Sequence, residues 1–294
     1  MNIDHREIRV DGRLIRVGRL DADGFHRLEN PAFFIETARK TFTGVDLVTF
    51  AQTLPHTQPE CDFHMEWDNV AALPVTTFDQ WWTAQIDNKT RNMARKGEKK
   101  GLIVKEVAFD DRLVEGIRDV YNETPIRQGK RFWHYGKPLD VVKRENGTFR
   151  DDSVFIGAFL NDRLVGFVKL VIDRGGGQAS MMQILSMLKH RDVAPTNALI
   201  AQAVRSCAQR TIPYLVYAHF AYGNKTRDSL VTFKLNNGFR RIDVPRYFIP
   251  VTRRGRLALS LGLHRPFRER VPESLLAGYR ELRALWHARR VPQP

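Results

Sequence analysis

Only two cysteines, Cys61 and Cys207, occur in 294 residues. They lie far apart and show no Cys-x-x-Cys spacing, which excludes a disulfide framework and a cysteine-based zinc site. No stretch approaches the ~18 uninterrupted apolar residues a membrane-spanning helix needs. The opening Met1 to His5 lacks the basic-then-apolar order of a secretion signal, so the expectation is a soluble cytoplasmic protein. The nine histidines are scattered without a His-x-x-x-His or carboxylate-paired spacing on one helix, and no metal is expected. There is no Gly-x-Ser-x-Gly elbow. The run Gly175-Gly176-Gly177 sits between two strand patterns instead of before a helix, the wrong place for a phosphate loop.

What the chain does have is positive charge. Lysine and arginine number 47 against 33 acidic residues, a net +14, and such an excess draws polyanions without dictating a fold. From Val251 onward ten arginines face three glutamates, half of that net charge. A second cluster runs through Lys89, Arg91, Arg95, Lys96, Lys99 and Lys100. A hydrophobic fraction of 43% is enough for one large core or two small ones and excludes wholesale disorder.

Arg6 to Val10 and Arg13 to Arg19, joined at Asp11-Gly12, read as a hairpin. Pro31 to Lys40 has helical spacing and Asp46 to Ala51 reads as a strand, whereas Leu54 to Pro74 defeats periodicity. Thr77 and Gln80 form a capping box for one long helix over 78–100, with Phe78, Trp81, Trp82, Ile86 and Met93 on its apolar face. Beyond Gly101 the order sharpens: strand 102–109, helix 111–122, a polar and aromatic loop 126–150, and strands 154–160, 164–173 and 178–188 as an antiparallel meander turning at Asn161-Asp162 and at 173–177. A helix capped by Thr196 or Asn197 runs to Gln209. A buried strand 214–220, a helix from about 225 to 236 ended by Gly238, and a strand 241–250 follow.

This order resembles the GNAT acyltransferase fold. Arg91-Asn92-Met93-Ala94-Arg95-Lys96-Gly97, with Phe233-Lys234 and Asn237-Gly238-Phe239 far downstream, is similar to the Fem peptidoglycan-bridge transferase-like (FemAB-type) branch, which is built from two such domains in tandem. The resemblance implies an α/β (α+β) chain: a mixed, splayed sheet flanked by helices, with a reduced or divergent N-terminal half. The boundaries expected are a divergent domain 1–100 ending in the basic helix, a GNAT-like domain 101–250, and a basic helical tail 251–294. In that tail Leu275, Leu276, Tyr279, Leu282 and Leu285 share one helix face, with Arg280, Arg283, His287 and Arg290 on another, suited to packing on the body or to an anionic surface.

Acyl transfer to an amine requires held donor phosphates, a polarised carbonyl and a proton acceptor. The resemblance places the phosphate cradle at Lys189 to Asn197, with Arg191, Ala194, Thr196 and Asn197 as candidates, although the glycines usual there are missing. Carbonyl polarisation falls to a main-chain amide within 181–187. Lys234 stands where many GNAT enzymes carry a tyrosine acid and is a catalytic candidate beside a surface-lysine alternative. The resemblance turns Tyr222, a catalytic candidate, and Asn224, a donor contact, toward the donor channel just after the buried strand, with a simple turn at Gly223-Asn224 as the alternative. In the aromatic loop His134 suits a general base and Trp133 and Tyr135 suit acceptor binding, or the aromatics pin the loop to the core. Glu66 is a further substrate-side candidate, and Glu66 or Asp68 is a possible base from the first half or a satisfied carboxylate.

Three readings follow. The first is an acyltransferase (N-acetyltransferase-like) moving an acyl group from acetyl-CoA or another acyl-CoA, as co-substrate and not as a tightly bound cofactor, to an amine. The second is an aminoacyl transferase using aminoacyl-tRNA, for which the Lys89–Lys100 cluster and C-terminal arginines would serve tRNA or an anionic surface. The third is a non-catalytic basic module on the same scaffold.

Overall fold

The computed structural model describes residues 2–3, 6–41, 44–127, 129–221 and 229–265. Within them the N-terminal hairpin pattern becomes β1 (Asn2–Ile3), β2 (Arg6–Asp11) and β3 (Val17–Leu20), followed by α1 (Pro31–Thr41) and β4 (Leu47–Ala51). α1 buries Phe34, Ile35 and Ala38 against Val48, Phe50, Tyr247 and Ile249; of the helical-spacing stripe Phe33, Phe34 and Ala38, Phe33 is exposed. The stretch without periodicity holds the ten-residue strand β5 (Met65–Pro74).

Thr77 caps α2 (Phe78–Gln80), its side chain accepting the Gln80 N–H at 3.1 Å. The helix expected over 78–100 is not continuous. A π-helical turn, Trp81–Gln85, ends at Ile86 in extended conformation, and α3 (Asn88–Lys99) starts anew. Asp87 causes the restart, because its carboxylate accepts the N–H groups of Lys89 and Thr90 at 2.9 and 3.1 Å and satisfies the orphan donors of a helix start.

β6 (Ile103–Val107) and α4 (Asp111–Tyr121) come next, with Asp110 capping the Leu113 N–H at 2.8 Å. The aromatic loop carries a small hairpin, β7 (Ile126–Arg127) with β8 (Lys130–Arg131), and then α5 (Leu139–Asn146). The meander is β9 (Ser153–Leu160), β10 (Arg163–Ile172) and β11 (Ala179–Ser186). Asn161 and Asp162 both take the positive φ (49° and 58°) that the tight turn demands. α6 (Pro195–Gln209), β12 (Tyr214–His219), α7 (Ser229–Asn236), β13 (Arg240–Pro250) and α8 (Arg253–Ser260) complete the order. α6 is not capped by Thr196 or Asn197. Its N-cap is Ala194 in left-handed conformation (φ 46°), without a side-chain cap, and Pro195 opens the helix.

Eleven strands form one mixed sheet in the order β1-β2-β3-β4-β13-β5-β12-β11-β10-β9-β6. β13 pairs antiparallel with both β4 and β5, so a strand from the end of the chain joins those from its beginning. α6 covers one face through Leu199, Ile200, Ala203 and Val204, which pack with Ala71, Leu73, Val168 and Leu215. α4 and α5 cover the other through Leu113, Ile117, Tyr121 and Val142 against Phe155 and Phe167. Among the described residues no helix is long and apolar enough to cross a membrane.

Candidate functional site

The sheet parts at its middle. β11 and β12 run parallel but pair only at Ala179 with Leu215 and Ser180 with Val216. Beyond that, β11 carries an extra residue: Gln183 faces Lys169 and Met181 faces Leu170, which leaves Met182 as a bulge. Bulges bend a strand and re-aim its backbone. β12 is irregular too, since its register against β5 shifts between Val216 and His219 and Ala218 takes φ 44°. Both arms therefore bend where they separate. Met182 to Ser186 on β11 regain partial exposure after the fully buried Ala179 to Met181.

On the α4 side, β11 meets the aromatic loop. The Tyr121 hydroxyl donates to Gln183 Oε1 at 2.9 Å, and Gln183 Nε2 lies 3.4 Å from His134 Nε2. His134 packs between Tyr121 (ring centroids 4.3 Å apart) and Trp133 (4.2 Å). Burial and the neighbouring Lys137 ammonium push its pKa down to about 4 against the pull of Glu145. Burial raises the Tyr121 hydroxyl to about 12. Trp133 and Tyr135 are exposed, and Lys137 sits over the Trp133 ring at 3.2 Å while pairing with Glu145 at 2.7 Å.

On the β12 arm the central feature is a buried ion network. His219 Nδ1 lies 3.0 Å from Asp68 Oδ1, Arg246 Nε donates to Asp68 Oδ2 at 2.8 Å, and an Arg246 terminal nitrogen meets Asp23 Oδ2 at 2.7 Å. Burial alone would raise the Asp68 carboxyl, but the His219 hydrogen bond and the Arg246 charge hold it well below the usual carboxylate range. The Asp68 hydrogen bond raises His219 in turn, against burial. Asp68 alternates with Val70 and Ala72, which pack with Leu54, Val216 and Val244, on the face away from Ala71, Leu73 and α6. Lys234 is fully buried, and its ammonium donates to the His219 carbonyl while lying 4.9 Å from the Tyr217 ring centre.

The segment expected to cradle phosphate folds as a 3-10 stretch, Leu188–Val193, ahead of α6. Glu123 occupies its first amides, accepting from Leu188 and Lys189 at 2.7 and 2.8 Å while Arg127 donates to the same carboxylate at 3.0 Å. Burial raises Glu123, but these bonds outweigh it and lower its pKa. Arg191 is exposed. The Thr196 hydroxyl bonds that of Ser186 at 2.7 Å, and Asn197 Nδ2 lies 3.4 Å from Asn237 Oδ1. α3 abuts this stretch: a Cβ on Gly97 would overlap the Val193 carbonyl oxygen, and Lys100 pairs with Asp192 at 2.7 Å.

Of the residues singled out from sequence, Thr196, His134 and Lys234 touch the two arms of the parting, at Ser186, Gln183 and His219 respectively, whereas Asn197 meets Asn237 beyond α7. Glu66 does not join them. It accepts from His264 (2.7 Å) and Arg265 (2.9 Å), with His64 at 3.5 Å. The ligand atoms of His64, Glu66 and His264 lie within 4.8 Å of one another, a metal-compatible grouping that sequence spacing does not show. Arg265 neutralises the same carboxylate oxygen without a metal. Tyr222, Asn224 and the tail beyond Arg265 lie outside the described residues. His219, Gln183 and Glu123 carried no sequence signal beyond a polar residue near the end of an apolar strand or helix.

No family profile and no curated protein sequence matches this chain. Solved structures do. The C-terminal domain (DUF2156) of a putative lysylphosphatidylglycerol synthetase from Agrobacterium fabrum superposes with a TM-score of 0.53, at 12% identity, over 86% of this chain and 83% of that one. L-PGS from Bacillus licheniformis gives 0.52 at 13% identity, over 84% and 81%. FemX gives 0.49 at 9% identity, over 75% and 70%. At such identities a likeness bears on the fold alone.

Proposed function

Because the chain has a GNAT-like fold, a mixed sheet flanked by helices, we propose that it is an acyltransferase that takes an activated aminoacyl group from a charged tRNA and passes it to an amine or hydroxyl acceptor. The parting between β11 and β12 carries this reading, since these adjacent parallel strands pair at only two positions and then leave main-chain groups for a donor's carbonyl. The acceptor side is the face shared by α4, the aromatic loop and the Asp68 network.

The donor choice rests on what surrounds the start of α6. A pyrophosphate there needs free amides. Pro195 has none to give, Ala194 carries a Cβ in a left-handed turn, and Glu123 has already taken the amides of Leu188 and Lys189. Asp192 adds negative charge on the same stretch. Beside it, α3 presents Lys89, Arg95, Lys96 and Lys99 to solvent, a basic stripe suited to a nucleic-acid backbone. The name of the Agrobacterium fabrum neighbour, a putative lysylphosphatidylglycerol synthetase, adds lysyl transfer to a lipid headgroup to the acceptors worth testing. Acyl-CoA is the second reading. It is favoured by the uncapped N-terminus of the 15-residue α6 next to the exposed Arg191.

The test is label transfer. Purified protein is given tRNA charged with radiolabelled amino acids, or labelled acetyl-CoA, with a phospholipid extract and a panel of amines. Product from charged tRNA at more than tenfold over the protein-free rate is expected. Product from acetyl-CoA alone would move the reading to the second donor, and none from either would leave a basic binding module.

A further inference from the structure

The proton acceptor need not be the histidine that sequence points to. His134 is enclosed by Tyr121 and Trp133 and held neutral, and a base so weakened gives little driving force at neutral pH. A second histidine stands on the opposite arm. His219 is the last residue of β12, three residues past Val216 where pairing to β11 stops, with its side chain 44% exposed.

Its ring is held by geometry that fixes the tautomer. Nδ1 faces two acceptors, Asp68 Oδ1 at 3.0 Å and the Asn69 carbonyl at 3.3 Å. Neither can donate, so Nδ1 carries a hydrogen in both protonation states, and the basic lone pair of the neutral ring belongs to Nε2. Asp68 is itself fixed by Arg246, which Asp23 anchors from the other side. The main chain of His219 is fixed by the Lys234 ammonium on its carbonyl. The charged groups acting on this ring among the described residues are Asp68 from β5 and Arg246 from β13, with Asp23 behind Arg246, while Lys234 from α7 meets the main chain of His219. A carboxylate on Nδ1 of a histidine that ends β12, past the last pair with β11, is the arrangement by which an acid orients a histidine base.

Building on the acyl-transfer reading above, we propose that His219 is the catalytic base of this site and that Asp68 is its positioning residue. In the step, the acceptor's N–H or O–H proton passes to Nε2 as its lone pair forms a bond to the carbonyl carbon of the donor's aminoacyl ester. The ester C–O bond to the donor's ribose then breaks, and the proton returns from Nε2 to the departing ribose oxygen. Atoms and charge balance with no further reactant.

The experiment uses the full chain with whichever donor the label-transfer assay identifies. His219→Gln is expected to lower kcat about 100-fold, the lower range for loss of a general base, with KM within about threefold, and added imidazole should restore part of the rate to His219→Ala. In the wild type the rate should rise with pH along a single limb. The midpoint of that limb should match the His219 ring titration followed by NMR, and both should move to lower pH in Asp68→Asn. A His219→Gln enzyme turning over within twofold of the wild type overturns the proposal while leaving the acyl-transfer reading intact. So does a pH limb that stays put in Asp68→Asn although the NMR titration moves. No imidazole rescue together with equal losses in kcat and thermal stability would assign His219 a structural role instead. A wild-type protein inactive with both donors removes the acyl-transfer reading and this proposal together.

Discussion

Replacing Arg246 by methionine tests whether the ion network on the β12 arm is a stabilising unit. The guanidinium is 14% exposed and holds two carboxylates, Asp23 at 9% and Asp68 at 15%, through contacts of 2.7 and 2.8 Å. Methionine keeps most of the apolar stem but leaves two acids without their cation. Removing one partner of a buried pair costs about 3–5 kcal/mol, because the remaining charge is desolvated and uncompensated. Two retained contacts argue for the lower end: Asp68 keeps His219, and Asp23 still accepts the Ala51 N–H at 2.8 Å. The expectation is about 3 kcal/mol at pH 7, read from urea unfolding curves with unchanged slope. The pH dependence has a definite sign. The folded Asp68 is depressed, so in the wild type its pairing stabilises above the unfolded carboxylate value of about 3.9 and is lost as pH falls through the lower folded value. Without Arg246 that depression shrinks, so the gap between wild type and variant should stay constant from pH 7 to about pH 4 and narrow as pH falls below the unfolded value. A loss under about 1 kcal/mol at pH 7, or a gap that widens on acidification, would refute the reasoning.

Gly97→Ala is expected to destabilise by about 1–2 kcal/mol despite the ~1 kcal/mol that alanine gains in helix propensity, since the new methyl meets the Val193 carbonyl; a higher melting temperature would show that α3 and the 188–193 stretch are not in close contact. Glu123→Gln should lower thermal stability at neutral pH by about 1 kcal/mol, and the deficit should vanish as pH falls through the depressed Glu123 pKa, where the wild-type carboxylate protonates as well; a deficit independent of pH would contradict the bonds to Leu188 and Lys189. Trp81→Phe should cost about 1–2 kcal/mol in urea unfolding by orphaning the Asn237 carbonyl, which the indole N–H meets at 3.0 Å; an unchanged midpoint would argue against that bond. Lys234→Ala should abolish most transfer while far-UV circular dichroism stays native, and unchanged turnover would remove Lys234 from the site.

The C-terminal half of the fold was legible because its signals are local. Alternation from Ser153 to Ser186, a two-residue turn at Asn161-Asp162 and helical spacing from Asp111 to Tyr121 each act within a dozen residues. β5 was not legible because its first half carries Glu66 and Asp68, which look like loop residues until partners from β12, β13 and the segment after α8 neutralise them. α5 carries no side-chain cap before Leu139 that would mark its start in the sequence. The break before α3 depended on one carboxylate, Asp87, inside an apparently unbroken helical pattern. At the site, Lys234 was visible through its motif, yet its complete burial against the His219 carbonyl was not. Asp68 and His219 are distant in sequence, and only the pairing of β12 with β5 brings them together.

A crystal structure with a non-hydrolysable 3′-aminoacylamido-adenosine tests the parting between β11 and β12 most directly. The analogue's carbonyl should lie between the arms, beyond Ser180 on one strand and Val216 on the other, with the two strands still unpaired there. An analogue seated elsewhere, or a ladder that closes on through Ser186 and His219, would contradict it.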